Sequence, residues 1–465
     1  MTHHEMLIVG GGNAGISLAA RLLRDGARDV AVVESEVVHR YRPLLNYVGG
    51  GEAKMETLER PAASVMPEGC SWINDRAVAV DPEGPSVRTE GGLQVSCDSL
   101  VVATGLEEDW DATPGLAAAY DAGWVGSTFV VETAPEVWPA LAGLTGGRVL
   151  FTVPPEPAPC GATALKPLFM ACDHWRRAGV LDDLDVVLVL PGRAPVGLPE
   201  ADRVLEEALA SYDVRVLREA RVAALGDRRA TVAGPEGEQE LEDLAYAHVV
   251  PHYRAPDWIA GSALAGTTAA GQVDVDPETL RHRRYPAVWA LGDVADLGIR
   301  PSGGALRKQV AVLAHNLRVG DPERFERYEG YTVMPVTVAR HQLMFVEVDR
   351  EGRPQPTVPF PDLVKPRRSS WWVDRYALPV TYFRRILRGK SDAGQWSSPQ
   401  LATSAATGGI TAAMNDITTA VVVDQNRTTF QASRMRARQV PISTKYQRRR
   451  RRRRTLCASG TSLTE

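Results

Sequence analysis

Cys160 lies in the stretch TVPPEPAPCGATALKPL, residues 152–168, between a Pro-rich turn and a segment predicted to turn helical near Ala162. A cysteine is a nucleophile as its thiolate, and a place just ahead of a helix would favour that form through the helix dipole. The plainer reading of a lone cysteine is a small buried apolar residue. Glu34 is a second candidate, because it ends the apolar run DVAVVE. A carboxylate at the end of such a strand accepts hydrogen bonds from ribose hydroxyls. Asp293 is a third. It follows the apolar segment YPAVWALG, where the bland role for an acid is capping the next helix.

Glu34 gains meaning from what precedes it. EMLIVGGGNAGISLAARLLRDG, residues 5–26, reads as a short apolar strand, a Gly-rich turn through Asn13 and Ala14, and an amphipathic helix. Gly10, Gly12 and Gly15 have the G-x-G-x-x-G spacing, and Glu34 comes 19 residues after Gly15. The first glycine permits the tight turn, the second lets the backbone approach a pyrophosphate, and the third lets helix and strand pack closely. The pyrophosphate would sit at the helix N-terminus, where free N–H groups favour an anion. Leu18, Ala19 and Leu22 on that helix are expected to be core. The motif alone does not separate FAD from NAD.

Two later segments bear on that choice. DSLVVATG ends an apolar strand in Ala103, Thr104 and Gly105, and a further strand ends in Gly292 and Asp293. Together these resemble the flavoprotein disulfide reductase superfamily. The resemblance implies FAD, with the first segment closing the FAD domain and Asp293 on the flavin ribityl chain. Near mid-chain, LDVVLVLPGRAPVGLPEADRVLEEALASYDVRVL has a strand, Val186–Leu190, and a helix, Pro199–Ser211. The turn between them has no G-x-G-x-x-G, and its prolines remove N–H donors that a phosphate would need. A second Rossmann-like domain without an NAD site is expected, which counts against an NADH dehydrogenase.

Several segments together resemble the sulfide:quinone oxidoreductases, in particular their mitochondrial-type branch, over about residues 5–395. They are HRYRPLLNYVGGG (His39–Gly51), PCGATALKPLFMACDHWRRAG with Cys160 and Lys166, and GQVDVDPETLRHRRYPAVWALGD (Gly271–Asp293). The resemblance implies that a cysteine pair beside the flavin takes sulfur from sulfide as a persulfide, and that the flavin then reduces a membrane quinone. It assigns Cys160 to the first cysteine. The second would lie in a Gly-Tyr-Thr-x-Cys-Pro segment, and here GYTVMPVT puts Met334 in that place. A thioether forms no disulfide and carries no persulfide. Cys172 is a poor substitute: ten helical residues of separation give about 15 Å of rise, against roughly 7 Å between the Cα atoms of a disulfide. Cys172 is expected to pack within its helix and Cys97 to be structural, while Cys70 and Cys457 carry no motif. In RPSGGALRKQVAVLAHNL, residues 300–317, Lys308 and Gln309 are the candidates to touch the flavin carbonyls, a solvated helix face being the alternative for Lys308.

RSSWWVDRYALPVTYFRRILRGK, residues 368–390, is aromatic and basic, with Arg375, Arg384, Arg385 and Arg388 among its cations. Trp and Tyr favour membrane interfaces and Arg reaches lipid phosphates, so a peripheral membrane contact is expected there. The competing reading is a helix pair packed on the FAD domain. After residue 396 the character changes, ending in seven consecutive arginines, Arg448–Arg454. Like-charge runs repel, so a disordered and dispensable tail is expected over 397–465.

The chain has 465 residues, 44% hydrophobic and 24% charged, enough for two or three sizeable cores. Its net charge is −4, but Ser397–Glu465 has 12 basic and 3 acidic residues, a net +9 that leaves −13 for the rest. An acidic body argues against a nucleic-acid partner. Five cysteines without a CxxC pair fit a reducing compartment, with neither a disulfide framework nor a metal site. A strand that starts near residue 6 leaves no room for a signal peptide, and no apolar run is long enough to span a membrane. The expected fold is α/β, with two Rossmann-like domains. The FAD domain would be split, 1–123 and 266–325, around a second domain at 124–265, with a quinone and membrane region at 326–396. The expected partners are sulfide or another small sulfur donor and a membrane quinone, at the cytoplasmic face of the cell membrane, in a chain compatible with a homo-oligomer. Two rivals keep the fold: an NADH:quinone reductase, and a family member that has lost sulfide turnover with the second cysteine.

Overall fold

Continuous apolar runs set the architecture. Leu7–Val9, Val30–Val33 and Leu100–Val102 are all buried, and a strand covered on both faces reads as an unbroken apolar run rather than an alternation. They form the middle of a seven-stranded sheet in the computed structural model, which describes residues 2–358 and 362–390. Thr2–Val9 lies between Val30–Val33 and Gln94–Val102, parallel to both, with Leu7 opposite Ala31 and Leu100. Ser71–Ile73 extends one side in parallel, and Val288–Ala290, far along the chain, adds beside Leu100–Val102. The antiparallel strands Ser86–Thr89 and Ala77–Asp81 complete the sheet.

A second sheet is parallel throughout and has five strands: Val125–Gly126, Leu244–His248, Gly147–Thr152, Leu184–Val189 and Arg215–Leu217 in spatial order. Its core gathers Phe151, Leu168, Phe169, Trp175 and Leu188. A two-stranded antiparallel ribbon, Thr332–Ala339 with Gln342–Val348, sends Met334, Val336, Met344 and Val346 into that same core. The last described elements are short: Arg368–Trp372, a wide turn at Val373–Ala377, and Leu378–Arg384.

The first strand and the helix Asn13–Arg24 meet over Gly10 and Gly15. Gly10 has φ +107°, and a Cβ on Gly15 would stand 1.8 Å from the Gly10 carbonyl oxygen. The helix starts without a side-chain cap, so its first N–H groups are left for something else. Leu18, Ala19 and Leu22 are fully buried, as their spacing predicts. Because the clash at Gly15 is with backbone, it cannot be relieved by a side-chain rotation. Gly15→Ala is therefore expected to destabilise the protein by about 1–3 kcal/mol or more, read as a lowered thermal midpoint, whereas Gly12→Ala, with nothing within 4 Å of the added Cβ, should leave the midpoint of the ligand-free protein within about 2 °C.

Candidate functional site

The first sheet, the segments at 128–132 and 159–166, the ribbon and the C-terminal elements line a cavity of about 1890 Å³. At one end lies the glycine loop. Gly10, Gly12, Asn13, Glu34 and Thr104 all line the cavity. Glu34 is held by the loop itself: its two carboxylate oxygens accept from the Gly11 N–H and the Glu36 N–H, each at 2.7 Å. The space over Gly12 is open. A ribose-binding acid, an open glycine and an uncapped helix N-terminus in one wall fit a dinucleotide. Ala14, Gly15, Ala103, Gly105 and Gly292 are not in the lining and shape the wall from behind; the Ala103 carbonyl lies 2.5 Å from where a Cβ on Gly10 would be.

Asp293 lines the cavity farther along, and burial pushes its carboxyl up to about 6, with the Arg42 guanidinium opposing. Its neighbour explains Gln309. The Gly292 N–H donates to the Gln309 side-chain oxygen at 2.9 Å, so this buried glutamine braces the Gly292–Asp293 turn and does not line the cavity. Lys308 also points elsewhere. Its ammonium pairs with Glu329 and lies 4.4 Å from the centre of the Tyr331 ring. The cation that this helix, Ala305–Val319, gives to the cavity is Arg307. The segment was legible as a wall, but a shift of one residue turns a helical side chain by about 100°.

Cys160 is half-buried in the cavity wall. It does not sit on a helix N-terminus: a 3-10 turn, Gly161–Ala164, separates it from the helix Leu165–Ala178. Its backbone is in the left-handed region, φ +55°, a costly conformation for a non-glycine residue. It is fixed by a hydrogen bond from the Cys160 N–H to the Pro301 carbonyl (2.9 Å) and by the Thr163 hydroxyl, which donates to the Cys160 carbonyl (2.8 Å). Burial pushes the thiol up to about 12. Lys166 is the charge that opposes this, while Glu156, Asp374 and Asp293 reinforce it. The dipole-lowered thiol expected from the sequence is thus corrected: the turn moves the sulfur off the helix end, and desolvation wins.

The other sulfurs are elsewhere. Cys172 is fully buried in the core with Phe169 and Trp175. Cys97 is buried in its strand and its thiol donates to the Pro85 carbonyl at 3.5 Å. Cys70 is half-buried, and Cys457 and the arginine run lie outside the described residues. Met334 does not line the cavity. Its strand neighbours Val333 and Pro335 do, and the Cys160 sulfur lies 3.8 Å from the Val333 carbonyl oxygen. The Met334 thioether is 1% exposed and accepts from Arg300 at 3.5 Å.

The C-terminal elements make the aromatic end of the cavity, with Trp371, Trp372 and Leu378 in its wall, and their last residues, Tyr382 and Ile386, come back toward the glycine loop. Trp371 donates to Glu52 at 2.9 Å, and the Tyr382 hydroxyl meets His39 at 2.6 Å. His39 in turn contacts the Gly11 carbonyl at 3.2 Å, and burial drops its imidazole to about 4. Arg375, expected to face outward, is buried and donates twice to the Glu52 carbonyl. Val373, Arg384, Arg385, Arg388 and Lys390 are exposed. Three residues that motif reading passed over meet here: the Lys166 ammonium lies 2.6 Å from the Asp374 carboxylate, and the Tyr47 hydroxyl donates to the same oxygen at 2.7 Å. Lys166 matched only through the resemblance, and nothing local marks Asp374 or Tyr47.

The turn after the strand Leu184–Val189 is filled from within. The Val196 and Gly197 N–H groups donate to Asp202 at 2.7 and 3.3 Å, and Arg300 donates to the Val196 carbonyl at 2.5 Å. Among the described residues no cluster suited to a metal ion occurs, and no helix is long and apolar enough to cross a membrane.

Residues 4–130 match the family described as pyridine nucleotide-disulphide oxidoreductase. The mitochondrial sulfide:quinone oxidoreductase of Mus musculus is 30% identical over 404 residues, covering 85% of this chain and 88% of the mouse protein. That of Dictyostelium discoideum is 29% identical over 394 residues, covering 83% and 86%. The crystal structure of the sulfide:quinone oxidoreductase from Aquifex aeolicus superposes with a TM-score of 0.71 at 18% identity, covering 86% of this chain and 95% of that one.

The position of Met334 makes a prediction of its own. As a packed core side chain it should tolerate Met334→Leu at a cost under about 1.5 kcal/mol, while Met334→Ala should cost about 2–5 kcal/mol. Denaturant unfolding of the two variants measures this, and equal stabilities would place the side chain outside the core.

Proposed function

The chain belongs to the sulfide:quinone oxidoreductase family of FAD-dependent oxidoreductases, and from that premise we propose that it oxidises sulfide at Cys160 and passes the two electrons to a quinone. The observation that carries this reading is a single sulfur held at φ +55° in the wall of a cavity whose two ends differ in chemistry. The glycine-loop end suits a dinucleotide: Glu34 would take the ribose hydroxyls, the loop at residues 10–13 the pyrophosphate, and Asp293 the ribityl chain. FAD bound there supplies a two-electron relay. The aromatic end, with Trp371, Trp372, Leu378 and Ile386, suits a greasy acceptor. These assignments support a split FAD domain, 1–123 and 266–325, around 124–265, with the acceptor region in 326–390.

The chemistry asked of the chain is limited. Sulfide gives up two electrons and becomes a sulfane sulfur bonded to Cys160, and a small nucleophile then takes that sulfur away. The quinone gains two electrons and two protons and leaves as a quinol. Cys160 acts without a partner thiol, since Met334 offers none. Exposed Val373, Arg384, Arg385, Arg388 and Lys390 would rest on the surface of a quinone-bearing membrane. The mouse and Dictyostelium relatives are mitochondrial by name, which supports a mitochondrial membrane over the cell membrane expected from the sequence.

NADH as donor has less support. The turn where its pyrophosphate would rest has its N–H groups bound by Asp202. Two anaerobic titrations of the purified protein decide between the donors. Sulfide should bleach the yellow flavin and a soluble quinone should restore it, while NADH should leave the spectrum unchanged. Cys160→Ser should stay yellow and lose the bleaching by at least about a hundredfold in rate. A wild-type protein that saturating sulfide does not bleach would end the sulfide assignment and favour a family member without turnover; bleaching by NADH would move the protein to the other donor.

A further inference from the structure

Lys166 and Asp374 are a charged pair in the cavity wall, 1% and 3% exposed, with 2.6 Å between nitrogen and oxygen. They come from opposite parts of the protein. Lys166 stands in the first turn of the helix behind Cys160, and Asp374 belongs to the wide turn Val373–Ala377 near the C-terminal end of the described chain. Tyr47, from a third element, donates to the same Asp374 oxygen at 2.7 Å and turns its ring to Lys166, 4.8 Å from the ammonium. Both charged residues share the cavity lining with Cys160.

Two charges of opposite sign in the same cavity wall as one thiol act on it in opposite directions. A cation favours the thiolate and an anion disfavours it. Inside a protein wall these effects are screened far less than in water. Of the ionisable groups that act on the thiol, Lys166 alone favours ionisation; Glu156, Asp374 and Asp293 oppose it, and the Tyr41 hydroxyl is a neutral neighbour acted on by both Asp374 and Cys160. The pair itself is faced by Tyr47 and, on the far side of that ring, by Arg375, 5.8 Å from its centre. Glu156 is partly screened by Arg300 at 3.8 Å. Among the described residues Asp374 meets one cation at ion-pair distance, Lys166, and takes the Tyr47 hydroxyl on the same oxygen, while Arg375 acts on it from farther off.

We propose that Lys166 is the positioning cation for a thiolate at Cys160 and that Asp374 is its counterweight, so that the C-terminal segment carrying Asp374 tunes the reactivity of the acting sulfur. Bound to Asp374, the ammonium is partly spent on another anion. This inference rests on Cys160 being the reacting sulfur, as proposed above.

The test reads the thiol directly in the purified full-length holoprotein. Carbamidomethylation of the Cys160 peptide by iodoacetamide, resolved from the other four cysteines by mass spectrometry, is timed between pH 6.5 and 10, since the rate follows the thiolate fraction. Asp374→Asn should raise the rate at a given pH by about fivefold or more, and Lys166→Met should lower it by a similar factor. Asp374→Glu should stay near the wild-type rate. A purely structural latch behaves differently, because breaking it from either side opens the cavity and speeds alkylation in both variants. Rates that rise in both, or that stay within twofold in both, overturn the proposal. Should a single variant fail to fold with one charge left unpaired, the double variant Lys166→Met with Asp374→Asn buries none, and its rate must lie below that of the wild type. Bleaching of the wild-type sample by sulfide reports separately on the role of Cys160.

Discussion

A cavity this large with charged groups in its wall can exist only if each buried charge is matched in place. An ionised group taken from water without a partner costs several kcal/mol, more than most single contacts return. Here the matches also define the architecture. Glu34 is answered by backbone N–H groups of its own loop, Lys166 by Asp374, and Arg375 by the Glu52 carbonyl. Glu52 is itself met by Trp371 and Arg340. Most of these pairs join residues of the first 170 positions to residues beyond 330, so distant parts of the described chain are brought together by charge as much as by apolar contact. The C-terminal segment is short and half-exposed; it is seated by the groups it satisfies.

The glycine-loop end of the site was legible because its geometry is local. A strand, a turn, a helix and a second strand occupy 34 residues, and the close approach of Gly15 to Gly10 and the bond from Gly11 to Glu34 both fall within that stretch. The apolar runs of both sheets were legible for a similar reason. The rest of the site depends on pairs that no local pattern encodes. Asp374 reads as one acid in a basic aromatic segment, and Tyr47 as an aromatic beside three glycines. Arg307 and Lys308 are adjacent cations, and only the rotation of a helix whose start could not be placed to within a residue decides which one reaches the cavity. The outward Arg375 failed for the opposite reason: its charge suggested lipid, while the buried Glu52 carbonyl claimed it.

The second sheet separates fold from function. It keeps the strand–turn–helix order of a nucleotide-binding unit, with parallel strands and a helix following Leu184–Val189. The sequence marks the loss by its prolines, and the structure adds why the turn is stable without a ligand. Asp202 in the helix reaches back and accepts from the Val196 and Gly197 N–H groups of the turn, so two donors that a phosphate could use are already engaged. What the sheet supplies instead is a platform: the strand Gly147–Thr152 runs into the segment that presents Cys160.

That presentation bears on how one sulfur could serve where the resemblance implies a pair. A dithiol lets each sulfur act as leaving group for the other, and the second thiol need not be tuned. With Met334 turned into the core, Cys160 must be both held and activated by groups that are not sulfur. Holding is done by the left-handed backbone at Cys160, pinned between Pro301 and Thr163. Activation falls to charge, and the resting balance is unfavourable, with the thiol near 12 under the weight of burial and three carboxylates. Of those carboxylates Asp374 alone is carried by the C-terminal elements, so the charge that Lys166 can offer a thiolate is set by a residue 208 positions away in the chain.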